Sequence, residues 1–241
     1  MSRRTALVTG STDGIGVAIA RTLAIGGAQV IVSGRNAERG EQVVESILDG
    51  GGEARFAAAD LSTADGIRAL AAAAGPVDIL VNNAAMLLAP QPTPDVLEDV
   101  IDQALATNIK AVFLLTGLLA PAMADRGSGA IVNVGSINGL VGMAHSALYS
   151  ATKAAIHSLT KSWAAEYGPS GVRVNTVAPG PTITPVMAAY ADRIQRIIAR
   201  APSQRPSTPE QVAAAVAFLV SDDAANIHGA TLSVDGGLTA I

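Results

Sequence analysis

TALVTGSTDGIG, residues 5–16, joins an apolar run to a glycine-rich turn. The run TALVTG (5–10) reads as a buried strand, and the residues beyond the turn, GVAIARTLAIGGA (16–28), carry helical periodicity. A strand, a glycine turn and a helix in that order form the opening unit of a doubly wound α/β sheet. The glycines fall at 10, 14 and 16, a G-x3-G-x-G spacing that differs from the usual G-x-G-x-x-G. A tight turn, a close backbone approach and a helix N-terminus with free N–H groups are what a pyrophosphate requires. Residues 9–16 are therefore the candidate phosphate loop.

The same alternation continues along the chain. Further strands are predicted at 29–34, 53–60, 78–84, 129–136, 173–180 and 230–237, with helical patterns between them, for example EQVVESILDG at 41–50. Short apolar strands separated by helices imply a parallel sheet covered on both faces. The expectation is one Rossmann-like, doubly wound α/β domain over residues 1–241, with about seven strands and helices on both faces. A cofactor half would cover about 1–128 and a catalytic half about 129–241. A stretch with Pro at both ends, Pro181 to about Pro209, is the candidate lid, and APQPTP (89–94) reads as a loop.

Composition narrows the function classes. The 241 residues are 49% hydrophobic and only 15% charged, with a net charge of -4, which gives no electrostatic case for nucleic acid or an anionic membrane. The chain has no cysteine, so it holds neither disulfides nor thiolate metal sites, which fits a reducing, cytoplasmic setting. The strand-like run starts by Thr5, leaving no room for a signal peptide. AVFLLTGLLAPAMA (111–124) is apolar but too short to span a bilayer, and reads as a buried or interface helix. His145, His157 and His228 lack ligand spacing, so no metal site is expected and surface or core roles are.

The second strand ends in SGRN (33–36), where an acidic residue would serve the ribose of NAD. Arg35 stands there instead, able to pair with a 2′-phosphate through its planar fork, with Ser33 and Asn36 beside it. A solvated loop arginine is the plainer alternative. Asp13 acts in the opposite sense by adding negative charge to the phosphate loop. The balance favours NADP(H) and leaves NAD(H) as the alternative.

Taken together, these stretches resemble the short-chain dehydrogenase/reductase family, in the manner of its 3-oxoacyl-ACP reductases, over nearly the whole chain. TGSTDGIG is similar to the family's cofactor loop, which implies contacts from Gly10, Ser11, Thr12, Asp13, Gly14, Ile15 and Gly16. NNAA (82–85) resembles its NNAG motif with Ala85 in place of Gly, and places Asn83 and Ala84 along the cofactor. Asp60, with Leu61 after it, resembles the adenine-contacting position, and a helix N-cap role is the plainer one. APGPTIT (178–184) is similar to the nicotinamide loop and implies Pro179, Gly180, Thr182 and Thr184. Asn108, Ser136, Tyr149 and Lys153 match the catalytic tetrad, with Asn108 implied to hold a relay water and Lys153 to contact the ribose. The helix after Asp60 is expected to be about one turn short.

The chemistry also follows from the residues. Reducing a carbonyl with a nicotinamide requires a hydride and a proton. A phenol with a pKa near 10 needs help to exchange that proton at neutral pH. Lys153 lies four residues after Tyr149, on the same helical face, and its ammonium is expected to lower the phenol's pKa. Ser136 ends the fifth strand and is placed to bond the substrate oxygen. Substrate walls are expected from Met86, Leu87, Ile137, Asn138, Met143, His145, Pro181 and Met187, mostly apolar groups suited to a small carbonyl or alcohol. The expected activity is oxidation or reduction at a CH–OH/C=O group, with an NAD-dependent alcohol dehydrogenase or a non-catalytic nucleotide sensor on the same fold as alternatives. The resemblance further implies a homotetramer, or a homodimer, paired through the helices containing 111–124 and Tyr149.

Overall fold

The structure is a computed structural model, and it describes residues 4–184 and 190–241. Seven strands form one parallel sheet in the order β3-β2-β1-β4-β5-β6-β7. They are β1 (Thr5–Thr9), β2 (Gln29–Gly34), β3 (Glu53–Ala58), β4 (Ile79–Asn82), β5 (Gly129–Val134), β6 (Val172–Pro179) and β7 (Thr231–Val234). All seven predicted strands are present, several trimmed at their C-terminal ends where the chain turns into the site. Strand order reverses between β1 and β4, which creates a crevice outside the carboxyl ends of the strands.

Side-chain alternation assigns the two faces. Ala6 and Val8 of β1 point into one apolar layer with Val30, Val32, Val81 and Val132, beneath α1 (Gly14–Ile25), α2 (Ala37–Asp49) and α8 (Pro209–Val220). Leu7 points the other way, with Ile31, Leu80, Ile131 and Val174, beneath α3 (Ala64–Ala74), α5 (Ala111–Asp125) and α6 (Ala147–Tyr167). Each fully buried aliphatic side chain contributes roughly 1.5–3 kcal/mol, so the two layers supply most of the folding drive. Helix α3 has 11 residues, and Thr63 caps it by accepting from Gly66 N.

The apolar run at 111–124 belongs to a longer element than its sequence suggested. Helix α4 (Glu98–Leu105) continues through a π-helical turn, Ala106–Lys110, into α5, giving an unbroken helical run Glu98–Asp125 of 28 residues. By length and composition alone that run could cross a membrane. Its face bearing Leu115, Thr116, Leu119, Ala120 and Met123 is packed inside the protein instead. Pro121 lies within α5 without ending it.

A buried polar ladder ties the sheet to α6. Asn82 Nδ2 donates to Asn133 Oδ1 (2.9 Å) and to Thr116 Oγ1 (3.2 Å). Asn133 Nδ2 donates to Thr160 Oγ1 (2.8 Å), and Thr160 shares a 2.7 Å hydroxyl contact with Thr176. All five residues are buried, so each side chain depends on the next for its partner. Replacing Asn133 with Ala removes one of the two acceptors of the Asn82 amide and the amide donor to Thr160, whose hydroxyl keeps Ile156 O and Thr176. The expected loss is about 2 kcal/mol, read as a lower denaturant midpoint at unchanged slope.

Candidate active site

The turn from β1 into α1 is shaped by its own packing. Gly10 and Gly14 hold left-handed φ values of 62° and 52°, which favour glycine. A side chain on Gly16 would run into the Gly10 carbonyl and lie 2.6 Å from Asn83 Nδ2. Ser11 is buried, donating its hydroxyl to Val8 O (2.7 Å) and accepting from Ser33 N (2.9 Å). Asn83 Nδ2 donates to the carbonyls of Thr9 and Gly10, closing the loop from the β4 side. Thr9, which the sequence did not single out, accepts from the N–H groups of Asn83 and Ala84. Thr12 packs over Gly34, and Ile15 packs against the first apolar layer. The result is a rigid turn presenting the first turn of α1, whose early N–H groups have no acceptor within the helix. These residues fit a dinucleotide pyrophosphate.

On the other side of this turn, Arg35 is exposed at the end of β2. Ser33 is 1% exposed and its hydroxyl has no partner in the fold. Asn36 uses its side-chain oxygen to cap α2 through Arg39 N (2.9 Å). Of the three side chains grouped around SGRN, only that of Arg35 is exposed and uncommitted to capping. Asp60 is exposed, and its bonds to Ser62, together with the charge of Arg35, hold its carboxyl below the usual range. Leu61 packs on the second apolar layer. Arg39, which the sequence reading passed over, reaches from α2 to Asp13 at 3.4 Å.

At the other end, Pro179 ends β6, and Gly180 N donates to Val234 O (3.0 Å). Thr182 is buried and donates to Gly180 O (3.0 Å), while Thr184 lies 3.4 Å from where a side chain on Gly14 would be. The chain then leaves on the excursion containing α7 (Ala191–Ile198) and returns to bridge Thr182 with Ser207. Arg193 on α7 reaches Ala144 O at 3.5 Å, which sets that helix beside the catalytic side of the crevice.

Ser136, Tyr149 and Lys153 meet beyond the end of β5. Ser136 begins a short 3-10 turn, Ile137–Gly139, accepting from Asn138 N, and its hydroxyl lies near enough to the phenol of Tyr149 to favour the phenolate. Lys153 is 4% exposed; its Nζ donates to Val134 O (2.9 Å) and lies 5.7 Å from the Tyr149 ring centroid. The sequence predicted that Lys153 would lower the Tyr149 pKa, and the net effect is the opposite. Burial pushes Tyr149 up to about 12, offset only in part by Ser136, and burial pushes Lys153 down to about 8. Both groups are driven toward their neutral forms, because the interior that aligns them also removes their water.

Asn108 lies on the π-helical turn and is 2% exposed. Its side chain is fully engaged: Oδ1 accepts from Met86 N (2.7 Å), and Nδ2 donates to Met86 O (3.1 Å) and to Thr152 (3.3 Å). The side chain thus clamps the loop after β4. Any relay group would have to use the backbone of the π turn, where the helical hydrogen-bond pattern is offset. His157 is buried, faces Gly135, and is pushed down to about 4 by burial and the nearby lysines, so it is neutral. His145 is exposed at the crevice with a left-handed φ of 63°.

Next to Tyr149 a cavity of about 460 Å³ opens, within the size range of small-molecule sites. Met86, Leu87 and His145 line it as the sequence predicted, together with Val96, Val100, Ile101 and Leu148. Ile137, Asn138, Met143 and Pro181 are not among its walls, and Met187 lies outside the described residues. The proline-rich loop and α4 replace them, because the Asn108 clamp folds the chain after β4 over the crevice.

A glycine turn at the switch point of a parallel sheet, with a Ser–Tyr–Lys cluster across the crevice, defines a nucleotide-dependent oxidoreductase. A short chain dehydrogenase profile matches residues 4–195, and the chain belongs to that family. A cis-4-hydroxycyclohexanecarboxylate dehydrogenase of Sinomonas cyclohexanicum is 42% identical, over 100% of this chain and 98% of its own length. An acetoacetyl-CoA reductase of an Acinetobacter strain is 39% identical, over 98% of each chain. The fold also superposes, with a TM-score of 0.93 and 40% identity, on a candidate NAD(P)-dependent gluconate 5-dehydrogenase from Beutenbergia cavernae holding NADP at low occupancy, covering 99% of this chain and 97% of that one. The protein is an oxidoreductase that moves a hydride between a nicotinamide cofactor and a small carbonyl or alcohol.

Gly16 offers a direct check on the phosphate loop. Gly16→Ala is expected to weaken nicotinamide cofactor binding at least about tenfold, because the new methyl displaces the Gly10 carbonyl. Fluorescence titration of the purified variant measures it.

Proposed function

We propose that this enzyme uses NADP(H) in preference to NAD(H) and interconverts a compact alicyclic secondary alcohol and its ketone. The cavity beside Tyr149 carries the substrate reading: its walls are mainly aliphatic, and among the described residues none is an acid, a lysine or an arginine. That lining suits a ring without phosphate groups, and the Sinomonas relative, named for a hydroxylated cyclohexane, supports it. Arg35 in place of an acidic residue supports the cofactor preference.

The roles follow from the geometry. The bound nicotinamide would supply or accept the hydride. Tyr149 carries the proton to or from the substrate oxygen, and Ser136, beside that phenol, steadies the same oxygen. Lys153 orients the cofactor's ribose and supports negative charge on the phenol during transfer. Asn108 fixes the loop that closes the pocket over the substrate. The loop residues 10–16, with Arg35, Asp60, Asn83, Ala84, Gly180, Thr182 and Thr184, hold the cofactor from adenine to carboxamide. Residues 1–128 then serve the cofactor and 129–241 the substrate, with the Pro181–Pro209 excursion as the lid. A cytoplasmic homotetramer paired through α5 and α6 is the assembly we infer, and the exposed Phe113 and Leu118 of α5 are consistent with such a contact.

A substrate panel tests the first reading. With either cofactor, cyclohexanols and cyclopentanol should exceed gluconate and acetoacetyl-CoA in kcat/KM by at least about tenfold. The reverse order overturns the alicyclic assignment, and cofactor binding with no turnover on any of them would favour a sensor.

The proton route has its own signature. Tyr149→Phe should lower kcat by roughly 10²–10⁴ in both directions. With its pKa near 12, Tyr149 is a phenol at neutral pH, the form that donates in carbonyl reduction. Alcohol oxidation needs the phenolate, whose fraction grows as pH rises. Oxidation kcat/KM should therefore climb from neutral into alkaline pH, while reduction does not climb. Initial rates in both directions across pH measure the difference.

A further inference from the structure

The crevice beside the end of β2 carries two guanidiniums, those of Arg35 and Arg39. Arg35 lies close enough to Asp60 for its charge to act on that carboxyl. Arg39, one helical turn along α2, reaches back to Asp13 on the phosphate loop. We propose that Asp13 and Arg39 are an exchangeable pair that sets the choice between NADP(H) and NAD(H): Arg39 leaves Asp13 to hold the 2′-phosphate, and Asp13 competes for it. This rests on the reading that the crevice binds a nicotinamide dinucleotide with its adenosine near Arg35.

The position of Arg39 is fixed and its contact is not. Its backbone N–H is held by Asn36 at 2.9 Å, so the start of the side chain is anchored on the first turn of α2. Its side chain is 60% exposed, and that of Asp13 is 47% exposed. The 3.4 Å separation is longer than the usual charge-assisted bond, and exposed pairs of this kind contribute little. A phosphate dianion offers the same guanidinium two parallel bonds, a stronger partner than one distant carboxylate oxygen. Ser33 is buried and Asn36 caps α2, so Arg35 and Arg39 are the groups around the end of β2 best placed to meet a 2′-phosphate.

Asp13 has two separable tasks. Its Oδ1 accepts from Gly14 N at 2.7 Å and caps α1, while Oδ2 faces Arg39. Asp13→Asn keeps an oxygen for the cap and removes the charge that competes for Arg39. That variant should bind NADPH about fivefold more tightly, with NADH changed by less than about twofold. Arg39→Gln should weaken NADPH about tenfold and leave NADH unchanged, and in its background Asp13→Asn should act more weakly on NADPH.

The experiment is fluorescence titration of the whole purified protein with NADPH and with NADH, for both single variants, the double variant and Arg35→Ala. Equal changes toward the two cofactors would make Asp13–Arg39 a brace between two turns and overturn the proposal. So would tighter NADPH binding by Arg39→Gln, or weaker NADPH binding by Asp13→Asn. If Arg35→Ala loses NADPH selectively and Arg39→Gln does not, the exchange fails while the NADP(H) reading stands. If no variant separates the two cofactors, the NADP(H) reading fails as well.

Discussion

Five buried side chains, Asn82, Thr116, Asn133, Thr160 and Thr176, hold β4, β5 and β6 in register with α5 and α6. Strands β4, β5 and β6 already pair through their backbones, but backbone pairing does not fix how α6 lies across them. The amide and hydroxyl ladder does, because each buried polar atom is satisfied in only one relative placement. Apolar packing would tolerate a sliding or rotated helix at small cost. Lys153 and Tyr149 lie on the same helix as Thr160, so the ladder fixes their height above the strand ends.

That placement explains the state of Tyr149 and Lys153. Lys153 is drawn inside, with its ammonium on the Val134 carbonyl, one residue from Gly135 and two from Ser136. Burial makes the lysine easier to deprotonate and the tyrosine harder. A low-dielectric surrounding also strengthens every charge that later develops there. Neutral His157 packs behind the strand end at Gly135, where a larger residue would strike its ring. The cluster thus depends on residues that never meet substrate.

Much of this was legible in the chain. The strands announced themselves because each is a short apolar run bounded by turn residues, and the helices between those runs implied a parallel sheet. The glycine turn and the Tyr149–Lys153 spacing are local patterns, so a linear reading reaches them. The tasks of shared side chains were not legible. Asn36 and Asn108 look like ligand-facing amides, yet one caps a helix and the other clamps Met86, because tertiary neighbours claimed their donors and acceptors. Arg39 was invisible because its partner lies 26 positions earlier and meets it only where α2 packs beside the start of α1. The sign of the Tyr149 shift depends on burial, a sum over the whole fold that four residues of spacing do not contain.

The bridge between Thr182 and Ser207 has a wider consequence. It brings the two ends of the excursion together, with Ser207 N on Pro181 O and Ile183 N on Ser207 O. The intervening chain is therefore a loop closed at its base, tied further to the scaffold by Arg193 on Ala144 O and Ser203 N on Gly236 O. Lengthening such a loop adds little closure entropy, and the strands beneath it need not move. Descendants of this sequence could trade one excursion for another and acquire a new clientele of alcohols while keeping the nucleotide seat and the proton donor intact. Separating what is recognised from how it is transformed in this way would let one scaffold diversify without relearning its chemistry.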